Sequence, residues 1–367
     1  MGSVWGNALK ISIFGESHGN GIGVVLDGFP AGIVYDEAFI FSEMARRAPG
    51  KNKQSTARKE SDLPRILSGI YQGYTTGTPI CAVIENTDTR SGDYKDFSSQ
   101  PRPGHADYTG LVRFGGYNDP RGGGHFSGRL TAPLVFAGAM CKLYLQTKWI
   151  TVGAHIQSIA QIQDTPFDDV EVNAEQLNAL RLQTYPIVNP LAEKAMLSAI
   201  EEARLDQDSV GGVIECAAVG VPAGLGNPML DTVEGRLSSL LFSVPAVKGV
   251  EFGVGFGFAE FRGSHANDTF MLTDDETVVT ETNNNGGILG GITSGMPLIF
   301  RTAIKPTPSI SKTQRTLNLA SGEVEDLCIH GRHDPCIVTR AAPVIEAAAA
   351  VALTDLYLEG YGYAGTK

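Results

Sequence analysis

KISIFGESHGNGIGVVLD, residues 10–27, decides between two kinds of fold. Its glycines resemble a dinucleotide-binding turn, but such a turn follows a strand and opens a helix. Here KISIF (10–14) and IGVVLD (22–27) both read as strands, because β-branched residues dominate and glycines bound them. The segment between them, with Glu16, Ser17 and His18, is a loop joining two strands, and a dinucleotide fold is excluded.

Working outward, Asp36 is placed to cap a helix over DEAFIFSEMARRAPG, which stops at Pro49-Gly50 with Arg46 and Arg47 in its last turn. Cations there suit the helix dipole. RILSGIYQG and TPICAVIENTD, separated by the turn-like YTTGT, are consistent with a hairpin, and residues 86–128 read as one long polar loop. RLTAPLVFAGAMCKLYLQTK (129–148) is apolar all round, as a deeply buried helix is. Further helices are expected at 190–205, 231–242 and 337–358, and strands at 211–219, 248–259 and 297–304. No proline- or serine-rich linker divides the chain. GIGVVLDGFPAG (21–32) and GGVIECAAVGVPAG (211–224) echo each other, which either chance or two related halves produces.

The chain has 367 residues, enough for a sizeable core in one large domain or two. Its net charge of -11 repels nucleic acid and anionic membranes, so any anion site must be local. Five scattered cysteines, none in a C-x-x-C pair, argue against a disulfide framework or structural zinc. No secretory signal is visible, and VIEAAAAVALTDLYL is interrupted by Glu346 and Asp355, so a buried helix is expected rather than a membrane span. The expected compartment is the cytoplasm.

Three histidines lie in glycine-rich or polar loops: His18 in ESHGNG, His105 in RPGHADY and His125 in RGGGHFSGR. Histidine exchanges protons near neutral pH, and beside arginines it can protonate a leaving phosphate oxygen. Arg102, Arg121 and Arg129 offer planar forks for phosphate or carboxylate, and Gly122-Gly123-Gly124 lets backbone N–H groups approach a ligand. Together these point to an anionic small molecule. Asp334, before Pro335 and a helix, reads either as part of this site or as a cap or turn residue. No H-E-x-x-H or similar spacing supports a zinc site.

GESHGNGIGVVLDGFP, RPGHADY, GGGHFSGRLTAPLVFAGA, VPAGLG, AVKGVEFG, NNNGGILGGITSG, KPTPSI and GRHDPCIVTRAAPVIEAA closely resemble the chorismate synthase family, in the family's order. The resemblance implies an α+β fold, a β-α-β sandwich with a helical layer between outer strands, forming one domain over residues 1–367 and a homotetramer. It implies a lyase that converts 5-enolpyruvylshikimate 3-phosphate to chorismate by 1,4-elimination of phosphate. The family requires reduced FMN without net redox. NADPH as an indirect electron source and an external flavin reductase both remain open.

By the same resemblance His105 is the acid at the departing phosphate, His18 serves the reduced flavin, Asp334 assists flavin N5, and Ser17 and Ser127 support them. Arg47, Lys53, Arg102, Arg129 and Arg332 are implied in substrate or NADP contacts. Implied flavin contacts are His125, Phe126, Ser127, Pro245, Ala246, Gly290, Lys305, Pro306, Thr307, Pro308, Ser309 and Arg332. The chain departs from the family at His125 and Phe126, where many relatives have arginine and serine, and at Lys53, where they often have arginine. Rival readings are a flavin oxidoreductase and a non-catalytic FMN or phosphometabolite binder.

Overall fold

A computed structural model describes residues 3–50, 62–87, 99–329 and 334–362. The first half begins with β1 (Val4–Trp5), β2 (Lys10–Gly15) and β3 (Gly21–Asp27), followed by α1 (Glu37–Arg47). Asp36 caps α1 by accepting from the Phe39 N–H, as expected. Then come β4 (Arg65–Ser68), the small hairpin β5 (Ile70–Tyr71) and β6 (Tyr74–Thr75), and β7 (Ile80–Glu85). An antiparallel sheet runs β1-β2-β3-β7-β4, so the expected hairpin is β4 on β7 with a smaller hairpin inserted between them.

Residues 86–128 are not one loop: within them α2 (Asp107–Phe114) and a 3-10 turn at Arg121–Phe126 carry much of the site. α3 (Thr131–Gln146) follows, then β8 (Thr151–Ile159) and β9 (Ile162–Gln163), α4 (Ala174–Arg181), α5 (Pro190–Leu205), β10 (Gly212–Val219), α6 (Val233–Leu241) and β11 (Val247–Phe252). The strand expected over 248–259 ends at Phe252, where the positive-φ Gly253 leads into a 3-10 turn. After the short α7 (Gly263–Ala266) come the hairpin β12 (Phe270–Leu272) and β13 (Val278–Thr280), the hairpin β14 (Ile288–Leu289) and β15 (Ile292–Thr293), and β16 (Leu298–Ile304). The hairpin β17 (Gln314–Leu317) and β18 (Val324–Leu327) precedes α8 (Val338–Tyr361). The second antiparallel sheet runs β11-β16-β10-β8-β9.

The long helices lie between the two sheets. α3 packs on α8 and α1 and touches β3 and β7 of the first sheet, while α8 touches β8 and β10 of the second. This is why α3 and α8 are apolar all round. α8 is long and apolar enough to cross a membrane, but it is buried as a central core helix. At their crossing Gly138 meets Ala347: a Cβ on Gly138 would lie 2.3 Å from the Ala347 Cα and Cβ atoms.

This layer also buries charge. Arg46, read from sequence as a dipole-end cation, turns inward and grips Glu346 through both terminal nitrogens at 2.6 Å. Lys142 donates to Glu43 at 2.5 Å and also to Glu346. Burial alone would raise the Glu43 carboxyl, but Lys142 and Arg46 outweigh it and hold the pKa at about 2. Each charge is therefore paired, without which it could not stay in the core.

The sequence echo has a structural counterpart. Thr75 Oγ1 donates to the Pro30 carbonyl at 2.6 Å and accepts from the Ile33 N–H at 2.9 Å. Thr293 Oγ1 does the same with Pro222 and Leu225, at the same two distances. The hairpins carrying these threonines, GIYQGYTTG (69–77) and GILGGITSG (287–295), turn at Gln72-Gly73 and Gly290-Gly291, each pair with positive φ.

Candidate functional site

The β2–β3 loop is held by the triglycine turn. The Ser17 N–H donates to the Gly124 carbonyl at 3.1 Å, and His125 Nδ1 lies 2.9 Å from the Gly15 carbonyl oxygen. Gly122, Gly123 and Gly124 have φ of 60°, 83° and 53°, and a Cβ on Gly124 would sit 2.0 Å from the Asp119 carbonyl oxygen. A Cβ on Gly122 would lie 2.5 Å from the His18 ring, and one on Gly123 would lie 3.3 Å from His105 Nε2. The three glycines thus form a thin wall between two histidines. Two of the departures pack in this structure: His125 ties down the end of β2, and the Phe126 ring fills the space left by Gly110 beside Phe114.

Around His105 lies a polar array with a member that the sequence reading did not single out. His105 Nδ1 is 2.7 Å from Asp107 Oδ1. Asp107 also accepts from Arg102 Nε and Nη2, both at 2.7 Å, while Arg102 Nη1 donates to Ser309 Oγ at 3.2 Å. Burial raises the Asp107 carboxyl, but hydrogen bonds from Arg102 and His105 overcome this and hold it well below the ordinary carboxylate range. Lys305 donates to the Gly104 carbonyl, which fixes the turn ahead of His105.

Arg47 and Arg129 share a second unforeseen carboxylate, the buried Asp62. Arg47 Nη1 donates to Asp62 Oδ2 at 2.6 Å, and Arg129 Nη1 donates to Oδ1. Arg47 also donates from Nε to Thr131 Oγ1, and Arg129 from Nε to Asn86 Oδ1, both at 3.0 Å. Asp62 is thus the carboxylate that both guanidiniums share among the described residues. Asp334 does not cap α8, whose N-cap is Ile337; it accepts from Arg340 Nη1 at 2.6 Å. Arg340 Nε in turn donates to the Arg47 carbonyl at 3.0 Å, which joins the start of α8 to the end of α1.

These groups open on a cavity of about 1200 Å³. Among the described residues its lining carries seven arginines and lysines and one carboxylate, Asp334, in a chain whose net charge is -11. Other parts are apolar, with Ile11 and Ile13 of β2, Leu134 of α3 and Val344 of α8. Ala246, beside Pro245 on the wall, is held at φ 75°, a left-handed conformation that costs energy outside glycine. Burial and then the neighbouring Lys248 push the Lys305 ammonium below its ordinary pKa.

Arg47, Arg102, His105, His125, Phe126, Ser127, Arg129, Pro245, Ala246, Lys305, Thr307, Pro308, Ser309 and Asp334 are thus brought to one cavity. Ser17 and His18 stand one layer behind, against Gly122. Pro306 does not contribute to the lining, and Gly290 sits in the β14–β15 turn, where its positive φ accounts for it. Lys53 and Arg332 lie outside the described residues. No metal-binding group of histidines, cysteines and acids occurs among the described residues. Asp62 and Asp107 escaped the sequence reading because an aspartate near arginines looks the same whether it is solvated or buried. The D in RPGHADY, two residues past His105, was the one available signal.

A family model described as chorismate synthase matches residues 9–358. The chorismate synthase of Thermococcus kodakarensis is 46% identical over 98% of this chain and 99% of its own. That of Pyrococcus abyssi is 48% identical over 95% and 96%, and that of Dehalococcoides mccartyi 45% over 98% and 97%. A crystal structure titled chorismate synthase superposes with a TM-score of 0.75 at 29% identity, covering 98% of this chain and 94% of that one. With a match along nearly its whole length and a cation-rich cavity built from the matching motifs, the chain belongs to the chorismate synthase family.

Proposed function

We propose that the cavity carries out the family reaction, the 1,4-elimination of phosphate from 5-enolpyruvylshikimate 3-phosphate to give chorismate. The observation that carries this reading is the excess of cations around one histidine on a part-apolar wall. A substrate with two carboxylates and a phosphate suits such a site, where the cations face the cavity while Asp62 and Asp107, which pair Arg47, Arg129 and Arg102, lie outside its lining. Arg47, Arg129 and Arg340 supply positive charge on the α1–α8 side, and Arg102 and Lys305 supply it beside His105. His105 is the acid for the departing phosphate oxygen, where protonation and charge neutralisation lower the barrier.

The residues fit a reduced flavin mononucleotide alongside the substrate. The cavity is large enough for two ligands, and Ser17 Oγ is buried with no hydrogen-bond partner among the described residues. Lys305 and Lys248 would hold the flavin phosphate, with Pro245-Ala246, Thr307 to Ser309 and the 125–127 backbone along its body. Ser17 and His18 would reach it past Gly122, and Asp334 would assist from the start of α8. When bound, reduced FMN supplies a transient electron and proton partner without net redox.

We read the protein as a homotetramer of chains with two related halves, acting in the cytoplasm on flavin reduced by NADPH or by an external flavin reductase. The matching threonine hydrogen bonds support the two halves. The decisive assay is anaerobic incubation with substrate and reduced FMN. Many turnovers per flavin are expected, and a strict one-to-one stoichiometry would instead identify a flavin oxidoreductase. His105→Ala should lower turnover by about 10²–10⁴ with FMN binding kept; unchanged turnover would remove His105 from the mechanism.

A further inference from the structure

We propose that Asp107 is the positioning residue for His105: its carboxylate keeps a proton on Nδ1 and so commits Nε2 to the departing phosphate. The inference rests on the lyase reading above. Among the described residues Nδ1 has two polar neighbours, Asp107 Oδ1 at 2.7 Å and Arg102 Nη2 at 3.0 Å. A guanidinium N–H cannot accept a hydrogen bond, and this Nη2 already donates to the same Oδ1 at 2.7 Å. Among the described residues the only acceptor at Nδ1 is therefore the carboxylate, and the proton between them belongs to the imidazole.

The carboxylate is itself immobilised. Arg102 holds it through Nε, Nη2 and its backbone N–H, at 2.7, 2.7 and 3.0 Å, and Ser309 holds the far side of the guanidinium. Asp107 opens α2, where the helix N-terminus also favours a negative charge. The imidazole edge opposite Nδ1 faces the Gly123 backbone and the cavity. As the carbon–oxygen bond breaks, its electron pair stays on the phosphate oxygen and Nε2 gives that oxygen its proton. The imidazole is left neutral, with its remaining proton on Nδ1 against Asp107, and regains the other from solvent after phosphate leaves.

Asp107 acts through His105 and touches no reacting atom, so its effect should vanish once His105 is gone. The experiment is a double-mutant cycle in the full chain with reduced FMN and substrate: Asp107→Ala, His105→Ala and the pair. Asp107→Ala should lower kcat by about 10–100-fold, as outer carboxylates that orient ligating histidines do. The double variant should be no slower than His105→Ala alone. In ¹⁵N spectra of histidine-labelled protein, neutral His105 should carry its proton on Nδ1, and Asp107→Ala should mix the two tautomers. If Asp107→Ala does not fold, Asp107→Asn, which keeps the shape, enters the same cycle. A variant within threefold of wild type, a loss that multiplies onto His105→Ala, or an unchanged tautomer overturns the proposal. Absence of turnover in the wild-type chain overturns the lyase reading instead, and the tautomer measurement still judges Asp107.

Discussion

Gly122→Ala tests whether the triglycine wall sets the position of His18. A Cβ at Gly122 would stand 2.5 Å from His18 Cδ2, 2.6 Å from Nε2 and 3.1 Å from Ser17 Oγ. Carbon atoms in contact settle at about 3.5–4.0 Å, so the imidazole must retreat by roughly 1 Å. It cannot take the whole loop along, because the Ser17 N–H is tied to the Gly124 carbonyl at 3.1 Å. A displacement of about 1 Å in catalytic machinery costs on the order of 10²-fold in rate. The left-handed φ of 60° adds about 1–3 kcal/mol of strain. At about 2.1 cal/mol/K of unfolding entropy per residue, that strain lowers Tm by only about 1–4 °C in a chain of this length. The protein should therefore stay folded while losing about 99% of kcat, measured as chorismate formed anaerobically with reduced FMN. Gly32→Ala is the control, since it carries a comparable left-handed φ of 81° away from the cavity while a Cβ there meets nothing within 4 Å. If Gly122→Ala keeps kcat within threefold of wild type, or Gly32→Ala falls as far, the argument from the glycine wall is wrong.

Two predictions concern stability. His155 is buried between Asp164 (Nδ1 to Oδ2, 3.0 Å) and Glu215 (Nε2 to Oε2, 2.8 Å). Burial lowers its pKa, but the hydrogen bonds to Asp164 and Glu215 more than reverse this, so the folded value is raised above 6.5. Its contribution is then complete below about pH 6.5 and is lost as pH rises through the folded value. A Tm series across neutral and alkaline pH should show that fall in wild type. His155→Gln should lack it while being less stable by about 3–5 kcal/mol at low pH, and parallel curves would refute the assignment. Gly138→Ala sets about 1 kcal/mol of helix propensity against a Cβ 2.3 Å from Ala347 Cα, a backbone atom with no rotamer to yield. Overpacking at about 1–3 kcal/mol should win, so Tm should fall, and a rise would show that the helix crossing is looser than described.

The parts of the fold that could be read in advance were those whose local pattern agrees with their environment. β2 and β3 are bounded by glycines, α1 starts at its aspartate cap, and α3 and α8 are apolar on every side because sheets cover the layer they form. β8 was missed because TVGAHIQSI is buried over nearly its whole length, which removes the alternation that marks a half-exposed strand. α2 was missed because YTGLVRF is short and lies among prolines and glycines that suggest a loop.

By itself the sequence determined the family, the order of the motifs and the chemical types gathered in them, because glycine turns, arginine forks and loop histidines are local properties. Only the tertiary structure decided which carboxylate each cation meets. Asp62 holds Arg47 and Arg129, Asp107 holds Arg102 and His105, and Glu346 takes Arg46 out of the solvent. A charge carried into a low-dielectric interior must find its partner there, and that partner can be 300 positions away, as Glu346 is from Arg46.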